Sequence, residues 1–227
     1  MNKLWHFGDS FSTCGDFEKI FSEYIAFHFN LELNHNGHGG TGNFEIFSEI
    51  IKKDTSFKSG DMILINWSYF NRITLTEMSG DLIGVDNLLI NFEDKIKNNK
   101  ITLESKNFLL DYVNNWSFME SIKLFKYIIL PYFKSLEKRG IKIKMVFLEQ
   151  IFPININKTT FYNKLPMNDS IITNLFKKSY ILQFNNHYCH FIVNKDWMKN
   201  ESVHYSKGIQ PLLADEYIKR IIETDVK

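Results

Sequence analysis

Short apolar runs alternate along this chain with longer segments in which apolar residues recur at helical spacing. The apolar runs predict strands over residues 3–9, 31–36, 61–67 and 141–149. The run over 61–67 is apolar almost throughout, which is typical of a parallel strand buried on both faces. Helical spacing predicts helices over residues 17–25, 44–53, 122–138 and 207–223. This alternation predicts a parallel sheet covered by helices on both faces.

Capping residues define two of the predicted helix ends. Asn43 directly precedes the helix over 44–53 and is expected to act as its N-cap. Lys138 and Arg139 form a basic last turn of the long helix, and Gly140 is expected to cap it. The alternation of strands and helices predicts one domain over residues 1–227 with a three-layer α/β/α fold. A polar segment over about residues 72–116 interrupts the alternation and is expected to be an insertion.

The composition argues against several classes of protein. Among 227 residues, 27 basic side chains nearly balance 26 acidic ones, and the formal charge is +1. A dedicated binder of nucleic acids or anionic membranes normally carries a basic excess. Two cysteines are too few for a disulfide scaffold, and no apolar run is long enough for a transmembrane helix. The first residues show no signal-peptide pattern, so a cytoplasmic location is expected, with association with a virion as the alternative.

The candidate chemistry begins with the segment Gly8-Asp9-Ser10, directly after the first predicted strand. Residues that follow strands lie at the carboxyl edge of a parallel sheet, where such folds bind their ligands. A serine hydroxyl becomes an effective nucleophile when a neighbouring base takes its proton. His204 is a candidate base just before the last helix, and Glu201, three residues earlier, can hold the imidazole in the required tautomer.

These segments resemble the short sequence blocks of the SGNH, or GDSL-like, hydrolase family, and the resemblance spans nearly the whole chain. It implies the SGNH hydrolase fold, with a mostly parallel five-stranded sheet of flavodoxin-like layout. It also implies a catalytic triad of Ser10, His204 and Glu201, with no need for a metal or an organic cofactor. The usual family block is Asp-x-x-His, so Glu201 replaces an aspartate with a side chain one methylene longer. Asp196 is the alternative carboxylate.

The resemblance also implies an oxyanion hole, in which N–H groups stabilise the negative charge of the tetrahedral intermediate. Its expected donors are the backbone N–H groups of Ser10 and Gly40 and the side-chain amide of Asn71. The block that holds Asn71 has the sequence NWSYFNR over residues 66–72 and departs from the usual Gly-x-Asn-Asp. Asn43 and Asn66 therefore stay open as alternative donors. Losing one such donor costs on the order of 10²–10³ in rate, so the altered block bears on whether the enzyme is active.

The function implied by the resemblance is hydrolysis of oxygen esters. Because many members of the family remove acetyl groups from glycans, an acylated carbohydrate is the expected substrate. Two alternatives stay open: a catalytically degenerate module that binds or assembles, for example in a phage particle, and an O-acyltransferase that uses a sugar hydroxyl instead of water. The expected partner is a small-molecule or glycan ester, and neither a nucleic acid nor a membrane is expected.

Other chemically active side chains are predicted to have ordinary structural roles. His35 and His38, like His187 and His190, do not fall into a spacing known for zinc ligands. Aromatic residues near the altered block invite comparison with a sugar-binding rim. Packing in the core is nevertheless expected for Trp67, Tyr69, Phe70 and Trp116.

Overall fold

The computed structural model describes residues 1–8, 19–38, 41–68, 73–76, 82–85, 107, 111, 122–147, 175, 180–182 and 210–226. Within them the strands are β1 (Lys3–Gly8), β2 (Glu32–Gly37), β3 (Met62–Trp67), β4 (Ile73–Thr76), β5 (Leu82–Val85) and β6 (Lys142–Phe147). The α-helices are α1 (Phe21–His28), α2 (Asn43–Lys52), α3 (Leu130–Lys138) and α4 (Gln210–Asp225). A 3₁₀ turn (Asp54–Ser56) follows α2, and a π-helical turn (Phe125–Ile129) leads into α3. No helix in these ranges combines the length and the apolar character needed to cross a membrane.

Four of the strands form one parallel sheet in the order β2-β1-β3-β6. At its outer edge, Met145 of β6 forms a parallel bridge with Ile181, at the position expected for a fifth strand. β4 and β5 form a separate antiparallel pair within the segment predicted to be an insertion. The prediction of a parallel sheet in flavodoxin-like order is confirmed.

Alternate side chains of the sheet pack against helices on opposite faces. On one face, apolar residues of β1, β3 and β6 pack against α2, the π-helical turn and α3. On the other face, Leu4, Met62, Leu64 and Val146 pack against α1 and α4. All positions of β3 are buried, as its continuous apolar run predicts. Helices cover both faces, so the three-layer α/β/α prediction is confirmed.

The start of α2 corrects one predicted cap. Gly42, not Asn43, is the N-cap: its backbone is extended (φ −89°, ψ 173°), and its carbonyl accepts the N–H of Ile46 at 3.1 Å. Asn43 is the first residue of the helix and is buried. An apolar pattern places a helix end only to within a residue or two, whereas the cap is identified by backbone conformation.

The predicted end of the long helix is confirmed. α3 ends at Lys138, and Gly140 follows in the left-handed conformation with φ +79°. Its N–H donates to the Glu137 carbonyl at 2.9 Å, and the N–H of Ile141 donates to the Leu136 carbonyl at 3.2 Å. These two bonds form the glycine-dependent cap that satisfies the last carbonyls of many helices. The cap leads the chain directly into β6.

A buried carboxylate joins the amino ends of β1 and β3. Asp61 accepts the backbone N–H of Lys3 at 2.8 Å and that of Lys58 at 3.0 Å. It also accepts the indole N–H of Trp5 at 2.9 Å. A buried carboxylate is costly unless donors surround it, and here three donors share its two oxygens. Asp61 thereby holds the two strands in register at the edge opposite the candidate site.

Candidate active site

The strand order creates a topological switch point at the carboxyl ends of β1 and β3. α1 follows β1 on one face of the sheet, whereas α2 connects β2 to β3 across the other face. The strand order therefore reverses between β1 and β3, and open α/β sheets bind ligands outside the carboxyl ends at such a point. Gly8 of β1 pairs with Asn66 of β3 at this edge, and Ser10 comes two residues after Gly8.

Two segments meet at this edge through the carbonyl of Gly8. The N–H of His38, directly after β2, donates to this carbonyl at 3.0 Å. The hydroxyl of Thr41 lies 3.3 Å from the same carbonyl oxygen and 2.9 Å from the carbonyl oxygen of His38. Gly8, which leads to Ser10 in the chain, is therefore hydrogen-bonded to His38 and Thr41, the residues that flank the pair Gly39-Gly40 in the sequence.

The N-terminus of α2 lies at the same edge and places the positive end of a helix dipole there, with the carboxylate of Glu45 in its first turn. α2 begins at Asn43, two residues after Thr41, and its N-cap is Gly42, which has no side chain to contribute. The first N–H groups of a helix and the helix dipole both favour negative charge nearby. An oxyanion formed beside this turn is favoured by that field.

The end of β3 is polar and buried. Asn66 is 1% exposed, and its side-chain amide donates to the hydroxyl of Tyr217 in α4 at 3.3 Å. Ser68, directly after the strand, is buried as well, and so is Asn43 in the first turn of α2. The two alternative oxyanion donors thus have known positions: Asn66 contacts α4, and Asn43 lies at the start of α2.

The N-termini of α1 and α4 are joined to each other. The side-chain oxygen of Gln210 accepts the N–H of Phe21, the first residue of α1, at 2.9 Å. The ring of Phe21 also packs on that of Tyr217, with centroids 4.8 Å apart. His204 precedes Gln210 by six residues, a span of at most about 20 Å. The helix that follows the His204 segment is thus anchored to the helix that follows the Ser10 segment.

The predicted catalytic residues themselves lie outside the described residues: Ser10, Gly40, Asn71, Asp196, Glu201 and His204. The same holds for Tyr69, Phe70, Trp116, His187 and His190. What the structure brings together are their neighbours in the chain, namely Gly8 before Ser10 and Thr41 after Gly40. The triad and the oxyanion hole stay predictions.

Trp67, the last residue of β3, lies in the core as predicted. Its side chain is fully buried. Its ring packs edge-on against Phe125, with centroids 5.0 Å apart, and lies 6.2 Å from Phe133 and 6.4 Å from Phe147. Because this ring is enclosed by other aromatic rings, it has no surface with which to stack on a sugar.

Two histidines form a pair within the sheet. His6 and His35 are register partners on β1 and β2, and their Nδ1 atoms lie 3.2 Å apart. A hydrogen bond between them requires one Nδ1 to donate and the other to accept, so both cannot carry a proton there. Burial lowers the pKa of His35 below its ordinary value, His38 lowers it further, and the carboxylate of Glu23 opposes this. His35 therefore fits its place in the sheet as a neutral ring.

The unfolding temperature is expected to fall as the pH drops below about 6.5, in part because of His35. Its pKa is lowered in the folded state, so the unfolded chain takes up the proton first and acid favours unfolding. His35→Gln should reduce the drop in unfolding temperature between about pH 7.5 and about pH 5.5, followed by circular dichroism. His28→Gln, at an exposed position of α1, is the control and should keep the wild-type slope. Equal slopes for His35→Gln and wild type would contradict this account.

The sequence did not predict the hydrogen bonds of Thr41 or the pairing of His6 with His35. The pair had no usable signal in the sequence, because each histidine is the fourth residue of its strand only with the strand bounds and the parallel register that the structure gives. Thr41 had only a weak signal, a hydroxyl residue within a glycine-rich segment after a predicted strand. The hydroxyl of such a residue can donate to backbone carbonyls of other segments, and the local sequence does not show which carbonyls these are.

No protein-family model matches this sequence, and no curated protein matches it. Among solved structures, the chain is similar to a protein named as a GDSL-like lipase from Parabacteroides merdae, with 15% identity, a TM-score of 0.49 and 97% of each chain covered. It is also similar to a protein named as a lipolytic protein of the G-D-S-L family from Desulfitobacterium hafniense. That match has 13% identity and a TM-score of 0.44, and it covers 97% of this chain and 99% of the other.

Proposed function

We propose that this chain is a serine esterase that hydrolyses oxygen esters. The observation that carries the proposal is the position of Gly8, which ends β1 at the switch point of the sheet. Gly8 is also the first residue of the Gly8-Asp9-Ser10 motif that resembles the SGNH hydrolases. The proposed nucleophile, Ser10, therefore follows the strand end at which open α/β folds bind their substrates.

In the proposed mechanism, His204 takes the proton of the Ser10 hydroxyl as the oxygen attacks the ester carbonyl. Glu201 accepts the second N–H of the imidazole and stabilises the imidazolium. When the tetrahedral intermediate collapses, His204 protonates the leaving alcohol and an acyl-serine remains. A water molecule, deprotonated by His204, then releases the acid and restores the Ser10 hydroxyl.

The oxyanion is bound, in this proposal, by the backbone N–H groups of Ser10 and Gly40 and by the side-chain amide of Asn71. Two observations support it: the hydrogen bonds to the Gly8 carbonyl at the strand ends, and the positive end of α2 at the same edge. We prefer Asn71 to Asn66 because the Asn66 amide is buried against Tyr217.

We propose an acylated carbohydrate as the substrate. This choice rests on the resemblance of the sequence blocks to a family in which many members remove acetyl groups from glycans. A formal charge of +1 gives the chain no general attraction for strongly anionic polymers, which agrees with a neutral glycan.

A fluorophosphonate probe tests the nucleophile directly, because it reacts with activated serines and not with ordinary ones. We expect the wild-type chain to form a single covalent adduct, detected by intact-mass spectrometry, and Ser10→Ala to form none. Ser135→Ala, at an exposed position of α3, is the matched control and should react as the wild type does. Equal labelling of Ser10→Ala and wild type would show that another residue reacts.

The reaction is tested with an acetylated xylo-oligosaccharide. Release of acetate by the wild type, and not by Ser10→Ala, supports a carbohydrate esterase. Transfer of the acetyl group to an added sugar, in place of its release, would instead identify an acyltransferase. A wild-type chain that neither reacts with the probe nor turns over an ester would contradict the proposal and favour the non-catalytic module.

A further inference from the structure

We infer that Thr41 is a positioning residue of this site, whose hydroxyl fixes the segment of the nucleophile against the segment of the oxyanion glycine. The inference rests on the proposed function. Thr41 belongs to none of the triad or oxyanion positions that the family resemblance implies. Thr41 is only 3% exposed, so its hydroxyl forms hydrogen bonds within the protein and not with bulk water.

The contacts of this hydroxyl join two segments that are far apart in the chain. The hydroxyl has one hydrogen to donate, and two backbone carbonyl oxygens lie within hydrogen-bond distance of its oxygen, that of His38 at 2.9 Å and that of Gly8 at 3.3 Å. The N–H of His38 donates to the same Gly8 carbonyl at 3.0 Å. Gly8, His38 and Thr41 are thus joined by a set of three contacts of hydrogen-bond length at the ends of β1 and β2, two of which share the one hydroxyl hydrogen of Thr41. The set leaves little freedom for one strand end to move relative to the other.

The two reacting groups are close to this set in sequence. Ser10 follows Gly8 by two residues, which is at most about 7 Å of chain, and Gly40 is bonded directly to Thr41. An oxyanion donor works only when it stands at hydrogen-bond distance from the charge that forms. A displacement of about 1 Å in such a site can cost about 10² in rate. The Thr41 hydroxyl therefore acts on the chemical step, through the distance between the serine and the Gly40 N–H.

A purely structural role for Thr41 makes a different prediction. Without the hydroxyl, the N–H of His38 still donates to Gly8, and β1 and β2 stay paired along their whole length. If the hydroxyl served stability alone, its loss would lower the unfolding temperature and leave the turnover of folded molecules unchanged. If it positions the site, kcat falls while KM for a small ester stays the same, because ground-state binding does not use the oxyanion donors.

Two matched pairs of proteins isolate the hydroxyl. Wild type and Thr41→Val differ by a hydroxyl in place of a methyl, and Thr41→Ser and Thr41→Ala differ by the hydroxyl alone. With p-nitrophenyl acetate as substrate, we expect kcat of Thr41→Val and Thr41→Ala to fall about 10- to 100-fold and KM to change less than about 3-fold. Thr41→Ser should stay within about 3-fold of the wild type. All rates are divided by the folded fraction measured by circular dichroism.

The outcomes separate this inference from the proposed function. Equal kcat values in Thr41→Ser and Thr41→Ala, with an active wild type, would overturn the role of the hydroxyl and leave the esterase proposal standing. A wild-type chain that fails to react with the fluorophosphonate probe would overturn both. Loss of kcat in Thr41→Val and Thr41→Ala together with its recovery in Thr41→Ser supports the inference.

Discussion

The His204→Ala substitution is expected to lower kcat/KM for p-nitrophenyl acetate by on the order of 10⁴-fold, because in the proposed mechanism Ser10 then has no base to take its proton. The residue lies six positions before α4, whose first turn is tied to α1 by the bond from Phe21 to Gln210. The segment that contains His204 therefore leads in the chain into a helix whose first residue is hydrogen-bonded to α1. The measurement is steady-state hydrolysis, with protein folding checked by circular dichroism.

A chemical test distinguishes a lost base from a disturbed fold. Added imidazole should restore part of the activity of His204→Ala and none of the activity of Ser10→Ala, since only the first variant keeps its nucleophile. His28→Ala, at an exposed position of α1, serves as the matched control and should keep the wild-type rate. If His204→Ala retains more than about one tenth of the wild-type rate, His204 is not the base and the proposed triad is wrong.

The sheet could be predicted because a strand that is buried on both faces has a continuous run of apolar residues. β3 is enclosed by helices on either side, so its six residues, Met62–Trp67, had to be almost entirely apolar. The end of α3 could be predicted for a similarly local reason, because only a residue without Cβ adopts the conformation of Gly140 at little cost. The exact start of α2 could not be predicted in this way, because both Gly42 and Asn43 are residue types that commonly act as N-caps.

Contacts between distant segments could not be predicted from local pattern. The bond between Asp61 and the indole of Trp5 depends on the register of β1 against β3. The pairing of His6 with His35 depends in the same way on the register of β1 against β2. Register is set by the whole sheet and its connections, so the residue types alone give no measure of these distances.

The position of the candidate site could be predicted as far as the sheet edge. A motif directly after the first strand of a parallel α/β fold has to lie at the carboxyl edge, and the observed strand order puts Gly8 at the switch point. The pairing of Ser10 with His204 stays a prediction. It is inferred from the order of the sequence motifs, because neither periodicity nor strand register relates two residues so far apart. Thr41 escaped prediction because its partners are backbone carbonyls, whose positions depend on the fold and not on side-chain type.

The Trp67→Ala substitution is expected to lower the free energy of unfolding by about 3–5 kcal/mol, the typical cost of removing a large aromatic side chain from a core. The ring is fully buried and contacts Phe125, Phe133 and Phe147, which come from the π-helical turn, α3 and β6. These elements are held by the rest of the core and cannot close the space completely, so a cavity adds to the lost transfer energy. Urea unfolding followed by circular dichroism measures the change.

Two further variants show whether the loss comes from packing. Phe27→Ala removes an aromatic ring that is 88% exposed on α1 and should change the free energy of unfolding by less than about 0.5 kcal/mol. Trp67→Phe keeps an aromatic ring between the three phenylalanines and should lose less stability than Trp67→Ala. A loss in Trp67→Ala as small as that in Phe27→Ala would contradict the core position of this ring. Because a fully enclosed ring cannot touch a glycan, Trp67→Phe should also leave KM for an acetylated oligosaccharide, the proposed substrate, unchanged.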